Sequence, residues 1–311
     1  MPILAAVSER VPPTAARALA PRVLAVASNK GGVGKTTVAT NLAIYVRALR
    51  EDLPVLVIGL DDQGSLDRMF SLRSPAPGGG NLKHAWAERS FDRVIQLGQY
   101  GVHFVSSPPD LASLKARAED PHTLRRILER TQWDGLVVLD TKSDLESLTL
   151  NALHAADRII LPVADWASLE EAGKLYAILE RIDRAARARV LMTLVDARTR
   201  VEDPRQDLRA VLEAEVGRRG WARYASYLSR SPRVEALNSG HGCPLSILHH
   251  AQGTIVHRQM RALADEVLFD LGLGGVGGPR REEPVEEFPL DRLGTTVGGW
   301  KTALLRGLRG R

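Results

Sequence analysis

The chain has 311 residues, of which 44% are hydrophobic and 25% charged, so it can bury a full core without disulfide or metal staples. A single cysteine, Cys243, excludes a disulfide framework and cannot by itself build a zinc or iron–sulfur site. Net charge is only +5, but between Arg181 and Arg233 there are 13 arginines, no lysine and 7 acids, which marks this segment as a candidate anion-facing surface or a salt-bridged helix face. With aromatic residues at 5%, contact with nucleic acid would rest on phosphates rather than on stacked bases.

In chain order, residues 1–21 carry Pro12, Pro13 and Pro21 and read as a flexible N-terminal arm. The first ten residues have no basic stretch ahead of an apolar one and no cleavage site, and no apolar run approaches the length of a membrane span, so neither export nor membrane crossing is expected. Six short apolar runs then predict strands: Val23–Ala27, Val55–Leu60, Val102–Val105, Gly135–Leu139, Arg158–Val163 and Val190–Val195. They show little polar alternation, as strands covered on both faces require. Between them Thr36–Arg50, Leu145–Ala155, Ser168–Ala186, Arg205–Val216 and Thr254–Leu271 read as helices. The expected fold is α/β, a doubly wound, mostly parallel sheet with helices on both faces, over residues 22–271. Residues 272–299 read as a Gly/Pro-rich acidic linker and residues 300–311 as a short basic amphipathic tail suited to a partner groove or an anionic membrane surface.

The densest chemistry is Lys30-Gly31-Gly32-Val33-Gly34-Lys35-Thr36-Thr37, placed between the first strand and the first helix. A glycine-rich turn at a helix N-terminus presents backbone N–H groups to phosphate oxygens, and the glycines permit the dihedrals and the close approach this needs. Lys35 can reach the β- and γ-phosphates, the Thr36 hydroxyl can ligate Mg²⁺, and Thr37 can bond an α-phosphate oxygen. Asn29 stands where the P-loop pattern has its first glycine, and Lys30 adds a second lysine. Trp133-Asp134-Gly135-Leu136-Val137-Val138-Leu139-Asp140 is an apolar strand ending in a carboxylate, the arrangement that holds Mg²⁺ through water, with Asp140 as the candidate.

On this loop the chain resembles the ParA/MinD family of deviant Walker A partition ATPases, from about Arg22 to about Leu271. The resemblance implies ATP and Mg²⁺ as cofactors and a sandwich homodimer held by ATP, in which Lys30 reaches the partner subunit's nucleotide. Val55 to Gly64 resembles the family's strand followed by D-x-D-P-Q-G, with Asp61 on the aspartate that orients the attacking water; Gly59 and Asp62 replace the first aspartate and the proline. Thr141-Lys142-Ser143 stands where the family has T-P-P or T-P-x, and Lys142 is either an ordinary surface lysine or a contact to phosphate or to the other subunit.

Ala156-Asp157-Arg158 with Leu161-Pro162-Val163, the stretch from Leu194 to Thr199, and Arg230-Ser231-Pro232-Arg233-Val234-Glu235-Ala236 are similar to ParA rather than MinD sequences. Carried over, Arg198, Arg200, Arg230 and Arg233 are the leading DNA-contact candidates, ahead of Arg218, Arg219 and Arg223. The implied function is a cytoplasmic, nucleoid-associated ATPase without an N-terminal helix-turn-helix domain. Its dimer would bind DNA without sequence preference and position a chromosome, plasmid or protein assembly, and a ParB-like or cargo-adaptor protein would stimulate hydrolysis. The alternative is a MinD-like membrane-surface ATPase tethered by the tail. A third reading, a metabolic enzyme on the same fold such as an ATP-dependent ligase or an iron–sulfur reductase, is opposed by the lone cysteine for the reductase and does not call for the arginine cluster in the ligase. His249-His250 and Cys243 read as structural, since adjacent residues point apart and no ligand spacing completes a metal site.

Overall fold

The computed structural model describes residues 20–61, 64–71, 80–108, 110–196, 207–239 and 244–274. The N-terminal arm up to residue 19, the tail from residue 275, Arg198, Arg200, Asp62 and Cys243 therefore lie outside the described residues.

The strands are β1 Arg22–Val26, β2 Val55–Leu60, β3 Ile95–Leu97, β4 His103–Val105, β5 Leu136–Thr141, β6 Arg158–Val163, β7 Ala188–Val195 and β8 Arg223–Ser229. They form one sheet in the order β3-β4-β2-β5-β1-β6-β7-β8. All pairings are parallel except β3 with β4 at one edge. The helices are α1 Lys35–Leu49, α2 Ser65–Phe70, α3 Leu82–Glu88, α4 Ala112–Lys115, α5 Thr123–Arg130, α6 Ser147–Ala155, α7 Trp166–Arg181, α8 Leu208–Arg218, α9 Pro232–Ser239, α10 Ile247–His250 and α11 Ile255–Asp270.

Alternate residues of each central strand enter opposite cores, as the two-residue period of a strand dictates. Val23, Ala25, Leu56, Ile58, Val137 and Leu139 pack under α5, α6, α7 and α8. Leu24, Val26, Val55, Val57, Leu136 and Val138 pack under α1 and α11. Both faces are dry, so each of these aliphatic side chains contributes roughly 1.5–3 kcal/mol, and no position on the central strands can carry an idle polar group. The polar residues that do occur at their ends, Asp140 and Thr141, are at most 2% exposed.

The strand ends are set by local chemistry. β5 begins where Gly135 lies against the carbonyl of Pro54: a Cβ at Gly135 would sit 2.0 Å from that oxygen. The Leu136 N–H donates to the same carbonyl at 2.9 Å, so the backbones of β2 and β5 are already in contact there. Gly135→Ala is accordingly expected to cost about 3 kcal/mol, the upper end of overpacking penalties, because the obstacle is backbone rather than a rotatable side chain. Urea unfolding should show the midpoint falling at unchanged slope, and an unchanged midpoint would refute the close approach.

α7 starts at Trp166 because Asp165 and Ser168 form a reciprocal capping box, with Ser168 N–H donating to Asp165 Oδ1 at 2.7 Å and Asp165 N–H to Ser168 Oγ at 2.9 Å. α11 is locked to the sheet by Asp270, which receives Arg189 at 2.7 Å and Arg158 at 3.0 Å. Desolvation pushes the Asp270 carboxyl up, but hydrogen bonds from the two guanidiniums outweigh it and hold it below its ordinary value.

Candidate nucleotide site

The C-terminal ends of the parallel strands are where an open α/β sheet binds ligands, and the residues singled out from the sequence converge there. The chain leaves β1, runs through Lys30–Gly34 and enters α1. Gly32 and Gly34 have φ of +76° and +89°, and a Cβ on either would meet no neighbour, so the requirement for glycine here is dihedral and not steric. The first turn of α1 has no acidic residue and no side-chain cap, which leaves its N–H groups and positive dipole end directed at the cleft. The loop is pinned from behind: Val33 is buried, and its carbonyl accepts a hydrogen bond from the Thr193 hydroxyl at 2.9 Å.

Lys35 is 7% exposed. Its Nζ donates to the carbonyl of Lys30 at 3.1 Å and to Ser143 Oγ. Burial lowers its pKa, while the charges of Asp140, Asp61 and Asp144 act against that shift. Asp140 faces it from the end of β5, in register with Val26 of β1 and Gly59 of β2. Burial pushes this carboxyl up to about 7; a hydrogen bond from Thr36 opposes the rise, the charge of Asp61 adds to it and Lys35 opposes it. Asp140 Oδ1 is buried without a hydrogen-bond partner. A buried carboxylate oxygen that lacks a donor, beside a threonine hydroxyl and a lysine, fits the outer ligand set of a Mg²⁺ that would be held by Thr36 directly and by Asp140 through water.

Asp61, just past β2, lines the same cleft. At Gly59 a Cβ would lie 2.7 Å from Leu66 Cδ1 and 3.2 Å from Ser107 Oγ, so Leu66 of α2 fills the space that an aspartate at this position would need. The cleft, about 690 Å³, is lined by the loop with Thr36 and Thr37, by Asp61 and Ser143 after β2 and β5 on one side of β1, and by Asp165 after β6 and Leu194 of β7 on the other, together with Arg230 and Glu235. Leu194 has φ of +53°, an unfavourable left-handed conformation at the end of β7 and at the wall of the cleft.

Lys30 sits at the mouth rather than in the cradle. Its Nζ bonds both oxygens of Asp165, at 2.8 and 2.7 Å, and Asn29 donates to Glu171 at 2.7 Å, so two residues of the loop are tethered to α7. Desolvation would raise the Asp165 carboxyl, but Lys30 and Ser168 hold it below its ordinary value.

The arginines divide. Arg230 stands in the cleft wall, with its Nε on Glu235 at 2.8 Å. Arg233, the second residue of α9, donates from Nε and Nη2 to the His250 carbonyl at 3.1 and 3.0 Å. α9 also touches the phosphate loop, where Asn238 Nδ2 donates to Thr37 Oγ1 at 3.3 Å. Arg218 and Arg219 are held by Glu215, Arg219 also by Glu170 with its guanidinium over Trp221, and Arg223 lies 3.6 Å from Glu213. Asp165 and Asn238 are cleft or loop contacts outside every stretch singled out from the sequence, and Ser143 and Glu235 lie within such stretches but carried no assigned role there. Elsewhere, His249 bonds Ser246 Oγ and stacks on Tyr100, and among the described residues no group of three or more His, Cys, Asp or Glu could hold a metal. No helix of the described residues is long and apolar enough to cross a membrane.

The loop, the two carboxylates and the parallel sheet define a P-loop nucleotide-binding protein of the two-lysine type. A family profile described as an AAA domain matches residues 21–192. The chromosome-partitioning ATPase Soj of Thermus thermophilus is 32% identical over 254 residues, which cover 79% of this chain and 95% of that protein. Among solved structures, an ATP complex of McdA from Cyanothece has a TM-score of 0.64 at 15% identity, covering 83% of this chain and 99% of that one. Cobyrinic acid a,c-diamide synthase from Mycobacterium smegmatis, with an ATP analogue and magnesium, has a TM-score of 0.60 at 22% identity, covering 80% and 94%. The two structural likenesses speak for the fold alone. The chain belongs to the ParA family of partition ATPases.

Proposed function

We propose that this chain is an ATP-operated switch that dimerises around its nucleotide, binds DNA through phosphates and positions a cargo. It is an ATPase, and ATP and Mg²⁺ are its nucleotide and metal. Bound Mg²⁺ supplies charge neutralisation on the phosphates. The protein's own groups do the rest: the loop N–H groups and Lys35 hold the phosphates, Thr36 and Asp140 would hold the metal, and Asp61 orients water and accepts its proton.

The observation that carries the dimer is the separation of the two lysines. Lys35 already lies within the cradle, whereas Lys30 projects to the mouth and is engaged by Asp165. A second cation at the rim of a filled phosphate site is placed to serve a phosphate outside its own cradle, which is what the resemblance to deviant Walker A proteins assigns to Lys30. Non-specific DNA binding is supported by the arginine surplus of the sequence and by the exposed position of Arg233; Arg198 and Arg200 remain candidates from the resemblance alone. Cytoplasmic, nucleoid-associated action, with a ParB-like or cargo-adaptor protein stimulating hydrolysis, completes the reading; the cargo is a chromosome, a plasmid or a protein assembly. A membrane-surface role through residues 300–311 is the competing reading.

Cosedimentation with duplex DNA and with anionic liposomes, each with and without nucleotide, separates the two. We expect DNA pelleting that requires a non-hydrolysable ATP analogue, and no liposome binding. Arg233→Glu should weaken binding to all sequences alike and flatten the log–log salt dependence by roughly 0.9 per lost phosphate contact. Arg230→Glu should in addition disturb nucleotide binding, because Arg230 faces the cleft. An unchanged salt slope for Arg233→Glu would place the DNA surface elsewhere, and nucleotide-dependent pelleting with liposomes alone would establish the membrane reading.

A further inference from the structure

Ser143 belongs to the cleft wall, and no role assigned so far uses it. It follows β5 by two residues, on a turn that is fixed at both ends. Thr141 Oγ1 donates to the Val26 carbonyl at 3.0 Å, and Asp144 accepts from Thr149 Oγ1 at 3.0 Å and from the Glu146 N–H at 3.2 Å. Lys115 closes the turn from α4, 3.8 Å from Asp144 and in contact with Glu146. The hydroxyl is thereby aimed into the cleft at a set position.

That position is beside the Lys30–Gly31 end of the loop. Ser143 Oγ is bonded to Lys35 Nζ and lies 4.0 Å from where a Cβ on Gly31 would stand, and the same Nζ reaches the Lys30 carbonyl. A serine hydroxyl has one donor and two acceptor sites, and an ammonium can only donate. Ser143 therefore spends an acceptor on Lys35, and its O–H remains available for an oxygen that enters beside Lys35. With the α-phosphate at Thr37 and the metal at Thr36, the oxygen that enters at this end belongs to the terminal phosphate of a triphosphate.

We propose that the Ser143 hydroxyl is a γ-phosphate contact by which this chain distinguishes ATP from ADP. The inference rests on the assignment of this cleft to ATP. The contact would be absent wherever the pattern it resembles reads T-P-P, because proline in the place of Ser143 has no hydroxyl to offer. If Ser143 served only to hold Lys35, its loss would affect both nucleotides, since Lys35 reaches the β-phosphate that ATP and ADP share. A γ-phosphate contact affects ATP alone.

The test is calorimetric titration of wild type, Ser143→Ala and Ser143→Thr with a non-hydrolysable ATP analogue and with ADP, each with Mg²⁺. A hydrogen bond to a charged oxygen makes the expected loss in Ser143→Ala about tenfold for the ATP analogue and less than about twofold for ADP. Ser143→Thr, which keeps the hydroxyl, should retain the wild-type ratio of affinities. Equal losses for the two nucleotides, or no loss for either, would overturn the proposal. Binding of neither nucleotide by the wild-type chain would overturn the cleft assignment itself, and the inference with it.

Discussion

Lys35→Ala is expected to yield a folded chain whose affinity for ATP and for ADP falls by at least about 100-fold, the loss of two or more charge-assisted hydrogen bonds. Lys35 is the ammonium on which the charges of Asp140, Asp61 and Asp144 all act, at a site burial has largely dried. Its removal leaves these carboxylates facing the incoming phosphates without a counter-charge, so the penalty exceeds the loss of the contacts themselves. Asp61→Ala should behave in the opposite way. It removes one negative charge from the cleft and leaves the cradle intact, so nucleotide binding persists. Turnover, however, should drop by about 10²–10⁴-fold, the usual worth of a positioned general base. Calorimetry and phosphate release on the two purified variants separate the roles. Wild-type turnover in Asp61→Ala would remove Asp61 from the reaction, and ordinary ADP affinity in Lys35→Ala would remove Lys35 from the phosphate site.

The parts of the fold that the sequence makes legible are those in which burial leaves a one-dimensional trace. β1, β2 and β6 are covered on both faces and read as apolar runs once the arginines that open β1 and β6 are set aside, and β7 does so from Val190 to Met192, before Thr193 and the exposed Leu194. β5 is longer than its apolar run, because it continues through Asp140 and Thr141, two polar residues that the site requires at the end of a buried strand. β8 leaves no such trace: Arg223–Ser229 is an edge strand with only Tyr224 and Leu228 buried, paired only to β7 among the described strands. Its free N–H groups are met by side chains of α11, Glu266 for Ala225 and Ser226 and Gln259 for Ser229. Nothing within β8 itself records those partners. β3 is three residues long and antiparallel, too short for any periodicity.

The site divides in the same way. Residues 30–37 are contiguous, so the phosphate cradle is visible as a motif, and Asp140 and Asp61 each end an apolar run. The opposite walls come from the ends of β6 and β7 and from α9, more than 100 residues further along. Asp165 is legible only as the first residue of a capping box, and Glu235 and Asn238 only as part of a helix. Their meeting with the loop is a product of strand order, which places β6 and β7 on the side of β1 away from β5. The arginine-rich segment shows the limit of counting charge. Arg189, Arg218, Arg219 and Arg223 are committed to Asp270, Glu215 and Glu213, so the surplus that faces solvent is smaller than composition suggests.

Lys30→Ala should bind ADP as wild type does but fail to dimerise with a non-hydrolysable ATP analogue. In the single chain, Lys30 is held by Asp165 with side chains 31% and 48% exposed, and a pair so open to water is worth only about 0–1 kcal/mol. It is strong enough to point the ammonium at the mouth and weak enough to exchange for phosphate oxygens, which offer more charge and more acceptors. Asp165→Asn sharpens the test. Asparagine still caps α7, so the helix start is preserved, but the anchoring charge is gone. We expect this variant to dimerise at lower concentrations of the ATP analogue than wild type, and Asp165→Asn combined with Lys30→Ala to remain monomeric. Light scattering reads all three. Normal dimers of Lys30→Ala would confine Lys30 to its own subunit, and an unchanged midpoint in Asp165→Asn would mean that the ion pair does not oppose the transfer of Lys30 to the partner's nucleotide.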